Sequence, residues 1–324
     1  MRSIINRRSV LLAGGCSLIA PAARAQRLSE RTITIVVPFT PGTGIDILAR
    51  LLGEEIQKRW GQSVIVENKP GASGNIGTQQ VARAEPDGHT LLMTANTFVM
   101  NAGLFKSLPY DPQKSFAPII EAATGSLALV VHPALAATSV QALVEDAKAR
   151  PDQINYASPG RGTPQHLAME LLKLTAGIQL RHVPYSGSAG AVRDLVGGHV
   201  SAMFLPLHTA LPLIADKQLR LLAVGGAGRT ALAPDVRTLS EQGVSGFDVD
   251  LWYGLLAPAG TSAEIIARYN QALNDILMQP SIRGALTKQG LQARGGPSGQ
   301  LADLIAKDQP RWLKVVRDAG IAPE

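Results

Sequence analysis

Short β-branched runs alternate with amphipathic stretches almost from end to end of this chain, and the hand-over repeatedly falls on a glycine-rich loop. Thr32–Val37 leads into Pro38-Phe39-Thr40-Pro41-Gly42-Thr43-Gly44, after which Ile45, Leu48, Leu52 and Ile56 recur at helical spacing as far as Trp60. Strand Val64–Glu67 leads into Pro70-Gly71-Ala72-Ser73-Gly74 and helix 76–84, and strand His89–Thr94 is entered through Pro86-Asp87-Gly88. Strand Leu127–Val131 and helix 140–149, with Ser139 as N-cap, come next. Strand 154–157 then precedes Ser158-Pro159-Gly160-Arg161-Gly162-Thr163 and helix 164–175; strand 180–183 precedes Tyr185-Ser186-Gly187-Ser188 and helix 189–196. Strands 201–204 and 219–224 and two long helices complete the order, the helices near 262–278 (capped by Thr261 or Ser262) and 299–319 (capped by Ser298). Such alternation predicts α/β layers around a largely parallel sheet. No Pro/Gly linker cuts the chain into sequential halves, so a discontinuous arrangement is expected. Residues 26–128 and 252–324 would form one lobe and residues 129–251 the other, with crossings near Ala128 and Trp252.

In a parallel α/β sheet these loops gather at the carboxyl edge of the strands, where crevices form. Glycine lets backbone N–H groups approach a ligand, and each following helix N-terminus favours negative charge. Thr43, Ser73, Ser158, Thr163 and Ser186 add hydroxyls. Turn and cap chemistry alone would explain any single loop; four in one chain point to an anion site. Asp46, in the first turn of its helix, has two readings: a carboxylate complementing the helix dipole, or an acceptor for a ligand hydroxyl, amine or water. His166 sits one turn after the Ser158–Thr163 loop, either reaching the crevice or buried as a capping residue.

The formal charge of +6 resembles a nucleic-acid signal until it is located. Four of the 31 basic residues (Arg2, Arg7, Arg8, Arg24) lie in the first 25, which hold no acid, so the other 27 meet 25 acidic residues. With aromatics at only 4%, neither a basic patch nor a stacking surface is available for nucleic acid. The leader is legible instead. Arg7-Arg8 precede the apolar run 10–20, too short to span a bilayer, and Ala23-Arg24-Ala25 has the small–x–small form of a signal-peptidase site that would leave Gln26 first. Arg7-Arg8-Ser9-Val10-Leu11 also resembles a twin-arginine signal, so either export route is open. Cys16 lacks the leucine usual before a lipidated cysteine, and cleavage after Ala25 would leave no cysteine, hence no disulfide and no thiolate.

Signatures of other chemistry are missing. Gly226-Ala227-Gly228-Arg229-Thr230-Ala231, with Asp248 about twenty residues on, fits a loose dinucleotide fingerprint, but Pro234 stands where the helix body is required. There is no phosphate-binding Gly-Lys-Ser/Thr loop, no Gly-x-Ser-x-Gly elbow and no Ser-x-x-Lys pair. The six histidines include no pair at metal-binding helical spacing. The expectation is a binder without metal or cofactor; an exported α/β hydrolase or transferase using the same crevice is the alternative.

Three ordered segments carry a resemblance: Pro38-Phe39-x-Pro41-Gly42-x-x-x-Asp46-x-x-Ala49-Arg50, Glu67-Asn68-Lys69-Pro70-Gly71-Ala72-x-Gly74-x-Ile76-Gly77 and Pro86-Asp87-Gly88-x-Thr90-Leu91-Leu92. Further on stand Tyr156-x-Ser158-x-Gly160-x-Gly162-Thr163-x-x-His166-Leu167, Val183-Pro184-Tyr185, Asp194-Leu195-x-Gly197-Gly198 and Trp252-Tyr253-Gly254-Leu255-x-Ala257-Pro258. Together they resemble the Bug family, extracytoplasmic solute-binding components of tripartite tricarboxylate transporters, over essentially the whole mature chain.

The resemblance implies a two-lobed periplasmic-binding fold with a hinge of two crossing segments, closing as a monomer on a small organic acid for delivery to the carrier's membrane subunits. A receptor presenting ligand to a membrane sensor is the other partner reading. Carboxylates in such proteins are held by loop amides, hydroxyls and waters more than by an arginine clamp. By position the first lobe would contribute Phe39, Thr40, Gly42, Thr43, Gly44, Asp46, Gly71, Ala72, Ser73, Gly74 and Asn96. The second would contribute Ser158, the stretch Gly160 to Thr163 (Gly160, Gly162 and Thr163 in particular), His166, Tyr185 and Ser186. Departures stand at Thr43 (a glycine is favoured), Ser186 (often lysine), Gly190 (often proline) and Ser201 (commonly aspartate), and Phe204–His208 is unusual.

Overall fold

The computed structural model describes residues 31–323, so the leader, Cys16 and the expected cleavage site lie outside the described residues. The chain forms β1 (Ile33–Val37), α1 (Gly44–Trp60), β2 (Val64–Asn68), α2 (Asn75–Ala82), β3 (Thr90–Ala95), α3 (Thr97–Leu104) and β4 (Phe116–Val131). There follow α4 (Val140–Ala149), β5 (Asn155–Ser158), α5 (Pro164–Ala176), β6 (Arg181–Pro184), α6 (Ser188–Val196), β7 (Ala202–Pro206), α7 (Leu207–Ala215) and β8 (Arg220–Val224). The last elements are β9 (Asp250–Pro258), α8 (Ala263–Leu277), α9 (Pro280–Lys288), β10 (Leu291–Ala293) and α10 (Ser298–Asp318). No helix among the described residues is long and apolar enough to cross a membrane.

Two half-sheets share one strand. In the first, β2, β1 and β3 run parallel, and β9 pairs antiparallel with β3 and with the leading half of β4. In the second, β6, β5 and β7 run parallel, and β7 and β8 flank the trailing half of β4 antiparallel. β4 is 16 residues long and changes partners at one step: Ser126 opposes Asp250 of β9, and Leu127 opposes Pro206 of β7. The chain thus passes between halves along β4 and returns at Val249–Asp250. The result is a two-lobed α/β fold of mixed sheets with two crossing strands.

Helices cover both faces. In α1, Ile45, Leu48, Leu52 and Ile56 are all buried, as their spacing requires, against a core shared with α8 and α9. Gly61 ends that helix in the left-handed conformation, its N–H donating to Gln57 O at 2.8 Å. The opposite face packs under α2, α3 and α10 in a core that continues into α4 and α5 of the second half, while α6 and α7 cover the remaining face. α10 bears on α3 and β4 and also on α5, so the last helix touches both halves. Ser139 and Ser262 cap α4 and α8 as their sequence positions suggest. Ser298 does not cap α10: Pro297 holds the cap position and no side chain accepts there, because Ser298 is already the first helical residue.

Candidate functional site

The carboxyl ends of β1, β2 and β3 present their loops at one edge of the first half-sheet. Asp46, only 2% exposed, organises the loop after β1. Its Oδ2 accepts from Gly42 N–H (2.9 Å) and Arg50 Nε (3.1 Å), and its Oδ1 from Arg50 (2.9 Å) and Asn68 Nδ2 (2.9 Å). Burial alone would raise its pKa, but these donors together hold it below the ordinary aspartate value. All its acceptor positions are occupied, so Asp46 positions the loop. Thr43 Oγ1 turns back to donate to Thr40 O (2.9 Å), so no side chain caps α1 and its first N–H groups stay available. Phe39 O accepts from Asn68, and the Phe39 ring and Pro38 close on Gly74, joining this loop to the one after β2.

That second loop is strained. Gly71, Ala72, Ser73 and Gly74 all have positive φ, including two residues with side chains (44° for Ala72, 55° for Ser73). Left-handed backbone costs an L-residue roughly 1–2 kcal/mol. Asn101 of α3 compensates, donating to Ser73 O (3.0 Å) and to Asn75 Oδ1 (2.8 Å), which also accepts from Tyr110 (2.8 Å). Asn96, 1% exposed at the start of α3, donates to Asp250 O (3.3 Å), but its Oδ1 has no partner.

In the second half-sheet the loop after β5 winds around Ser158. Ser158 Oγ lies 2.7 Å from His182 Nε2, donates to Gly160 O (3.0 Å) and accepts from Gly160 N–H (3.3 Å). Thr163 donates to Gly160 O (2.8 Å) and caps α5 through His166 N–H. His166 is buried, and its Nδ1 accepts from Gly162 N–H (3.0 Å). Its ring stacks on His182, centroids 4.0 Å apart, and His182 stacks on Tyr156 (4.8 Å). Burial foremost, then the charges of Lys173 and Arg161, lower His166 to about 4. Burial, then His166 and Arg161, lower His182 to about 3. Two neutral imidazoles therefore stand behind Ser158. Tyr185 points away, donating to Asp194 (2.7 Å), although its backbone packs on Gly160; Ser186 is exposed.

The two sets of loops face each other. A β-carbon at Gly162 would lie 2.6 Å from Leu104 of α3, and Ser73, Arg161 and Gly162 line one cavity of about 70 Å³ with Leu104, Phe105, Ile321 and Ala322. At the crossing, Asp250 Oδ1 is buried without a partner; burial and then Asp248 raise its pKa to about 7. Three groups here are not among the site residues expected from the sequence: His182, Asp250 and Tyr253, the last standing in the Trp252–Pro258 segment but without a role. Tyr253 Oη approaches Gly44 at the start of α1 to 4.0 Å from a β-carbon position, and burial raises the phenol to about 12. His182 was within reach of strand logic. It opposes Tyr156 in the β5–β6 pairing, and period two puts Ser158 on the same face.

A family described as the tripartite tricarboxylate transporter family receptor matches residues 48–321. The chain is 34% identical over 304 residues to protein BugT of Bordetella pertussis, covering 93% of each chain. Among solved structures it is similar to R. palustris Rpa4515 with adipate (34% identity, TM-score 0.79, 90% of this chain and 98% of that one). It is also similar to MatC of Rhodopseudomonas palustris with bound malate (31% identity, TM-score 0.75, 88% and 98%). Two-lobed topology, loops facing across a cleft and matches along nearly its whole length agree: this chain belongs to the tripartite tricarboxylate transporter family of receptors.

Proposed function

We propose that this protein is a periplasmic receptor that captures a small carboxylate between its lobes and presents it to the membrane subunits of a tripartite carrier. In this reading residues 26–128 with 252–324 form the first lobe and residues 129–251 the second, and the protein is exported by cleavage after Ala25. The observation that carries the reading is the cavity lined jointly by Ser73 of one lobe and by Arg161 and Gly162 of the other. The uncapped start of α1 and the glycine-loop amides at the carboxyl edge of the strands are further donors suited to a carboxylate. The relatives solved with adipate and with malate support the ligand class. Calorimetric titration against mono-, di- and tricarboxylates tests it, the expected result being saturable binding of at least one acid. Silence across the panel would refute the reading.

One contact favours a second reading, an exported hydrolase: the Ser158–His182 pair has the spacing of a nucleophile and its base. No carboxylate orients His182 through a hydrogen bond among the described residues. Following a bound acid and its methyl ester by NMR separates the two, since a receptor returns both unchanged.

A further inference from the structure

Arg161 makes no hydrogen bond or ion pair among the described residues, although it stands on a cleft loop. Arg50, at the corresponding edge of the first lobe, is committed to Asp46 and Asn68. An exposed arginine without a partner is ordinary, but this one forms a wall of the interlobe cavity. That cavity is divided chemically. Arg161, the Gly162 backbone and Ser73 are the polar part of its lining, and Leu104, Phe105, Ile321 and Ala322 the apolar part. At about 70 Å³ it exceeds the roughly 10–15 Å³ that one water needs. Of the other basic groups nearby, His166 and His182 are neutral and Lys173 is paired with Glu170 at 2.9 Å, so none offers a second carboxylate a free charge.

We propose that Arg161 binds the distal carboxylate of a ligand whose hydrocarbon spacer lies against Leu104, Phe105 and Ile321, so that the site selects dicarboxylates with an apolar spacer over short hydroxy acids. The proximal carboxylate would go to the glycine-loop amides, and the inference rests on the carboxylate-receptor reading above. A guanidinium fork matches a carboxylate in two hydrogen bonds. A hydroxyl on a short chain would instead meet the apolar side without a partner.

Calorimetry on the full mature chain with adipate, malate and hexanoate, using wild type, Arg161→Gln and Arg161→Lys, tests this. Wild type should bind adipate more tightly than malate. Arg161→Gln should weaken adipate about ten- to hundredfold, the value of a charge-assisted hydrogen bond, and leave hexanoate within about threefold. Arg161→Lys should fall between, keeping a point charge without the fork. Melting temperatures should stay at the wild-type value, since the side chain is exposed and unpaired. Unchanged adipate affinity in Arg161→Gln would overturn the proposal. So would equal losses of adipate and hexanoate, malate binding as tightly as adipate, or wild type binding other acids but neither of these. Wild type binding no acid at all would instead sink the receptor reading itself.

Discussion

Gly162→Ala loads two separable costs onto one residue. Gly162 has φ of +73°, so an alanine there carries about 1–2 kcal/mol of left-handed strain in every conformation of the protein. Its new methyl would also lie 2.6 Å from Leu104 Cδ1 and 3.1 Å from Cδ2, in the opposite lobe. That clash exists only while the Ser158–Thr163 loop faces α3. Overpacking of this kind costs about 1–3 kcal/mol, or roughly one to two decades of affinity for a ligand that needs the lobes together. Melting temperature should therefore report the strain, and calorimetric affinity the clash. A second substitution, Leu104→Ala, removes the atoms that the methyl would strike. In the double variant, affinity should return to within about threefold of the Leu104→Ala value, while the loss in melting temperature due to strain persists. Wild-type affinity in Gly162→Ala would mean that the loop and α3 do not meet when ligand is bound. An equal loss with and without Leu104 would move the effect to the loop's own amides and refute the interlobe argument.

Asp46→Asn should lower stability by about 1–2 kcal/mol, below the 1.5–3 of a fully buried charged bond because Arg50 is half exposed. It should weaken every carboxylate alike, since Asp46 holds the loop rather than a ligand hydroxyl; selective loss of hydroxy acids would contradict this. As its pKa is depressed, its contribution is complete above the ordinary aspartate value and disappears as pH falls through the folded one. For His182, lowered to about 3, the unfolded chain takes up a proton that the folded protein refuses, so stability falls as pH drops below about 6.5, by up to about 1.4 kcal/mol per pH unit. His182→Phe should flatten the melting-temperature slope between pH 7 and 5, and an unaltered slope would show that the imidazole is protonated in the fold. Asp250, raised to about 7, has the opposite sign: its folded form favours the proton, so stability is lost as pH rises from about 4 to 7. Asp250→Asn should accordingly raise the melting temperature at pH 8 more than at pH 5, and an equal shift at both would mean that the carboxylate is not desolvated.

The elements that stood out in the sequence were those with one buried face. Ile45, Leu48, Leu52 and Ile56 announce α1, and the β-branched run 33–37 announces β1. Less visible were elements buried on both sides or very short. β9 reads Asp-Leu-Trp-Tyr-Gly-Leu-Leu-Ala-Pro, in which Trp252 and Gly254 turn to α10 while Tyr253 and Leu255 meet the core under α1 and α8. With both faces apolar there is no alternation to detect. The leading half of β4, with Pro118 and two register shifts, hides in the same way, so only Leu127–Val131 was recognised as strand. α3 (Thr-Phe-Val-Met-Asn-Ala-Gly-Leu) and α7 (Leu-His-Thr-Ala-Leu-Pro-Leu-Ile-Ala, with Pro212 inside) carry no charged residue to mark a solvent face, so no helical period shows. The loops were legible because glycine and serine mark them, but which side chain points into the cleft was not. Tyr185 bonds its own helix at Asp194, and Asp46 is consumed by Gly42, Arg50 and Asn68.

The Gly226-Ala227-Gly228 segment shows why glycine patterns need a partner before they have a meaning. In a dinucleotide fold such glycines clear space for a pyrophosphate. Here a β-carbon at Gly226 would lie 2.4 Å from Asp250 Oδ2, and one at Gly225 2.7 Å from Val249 O. The space is cleared for the returning strand of the crossing, and Ala227 N–H donates to Asp248 Oδ1 at 3.0 Å. Asp248 also accepts through its backbone oxygen from Arg311 of α10, while Trp252 donates to Asp308 of the same helix at 2.9 Å. The acid about twenty residues downstream, which completes the fingerprint on paper, therefore ties the Gly225–Gly228 turn to the crossing strand and to the final helix. The same residues that mimic a cofactor site let two backbones pass within van der Waals distance where the lobes join. A side chain at Gly226 would therefore be felt first in the geometry of that crossing.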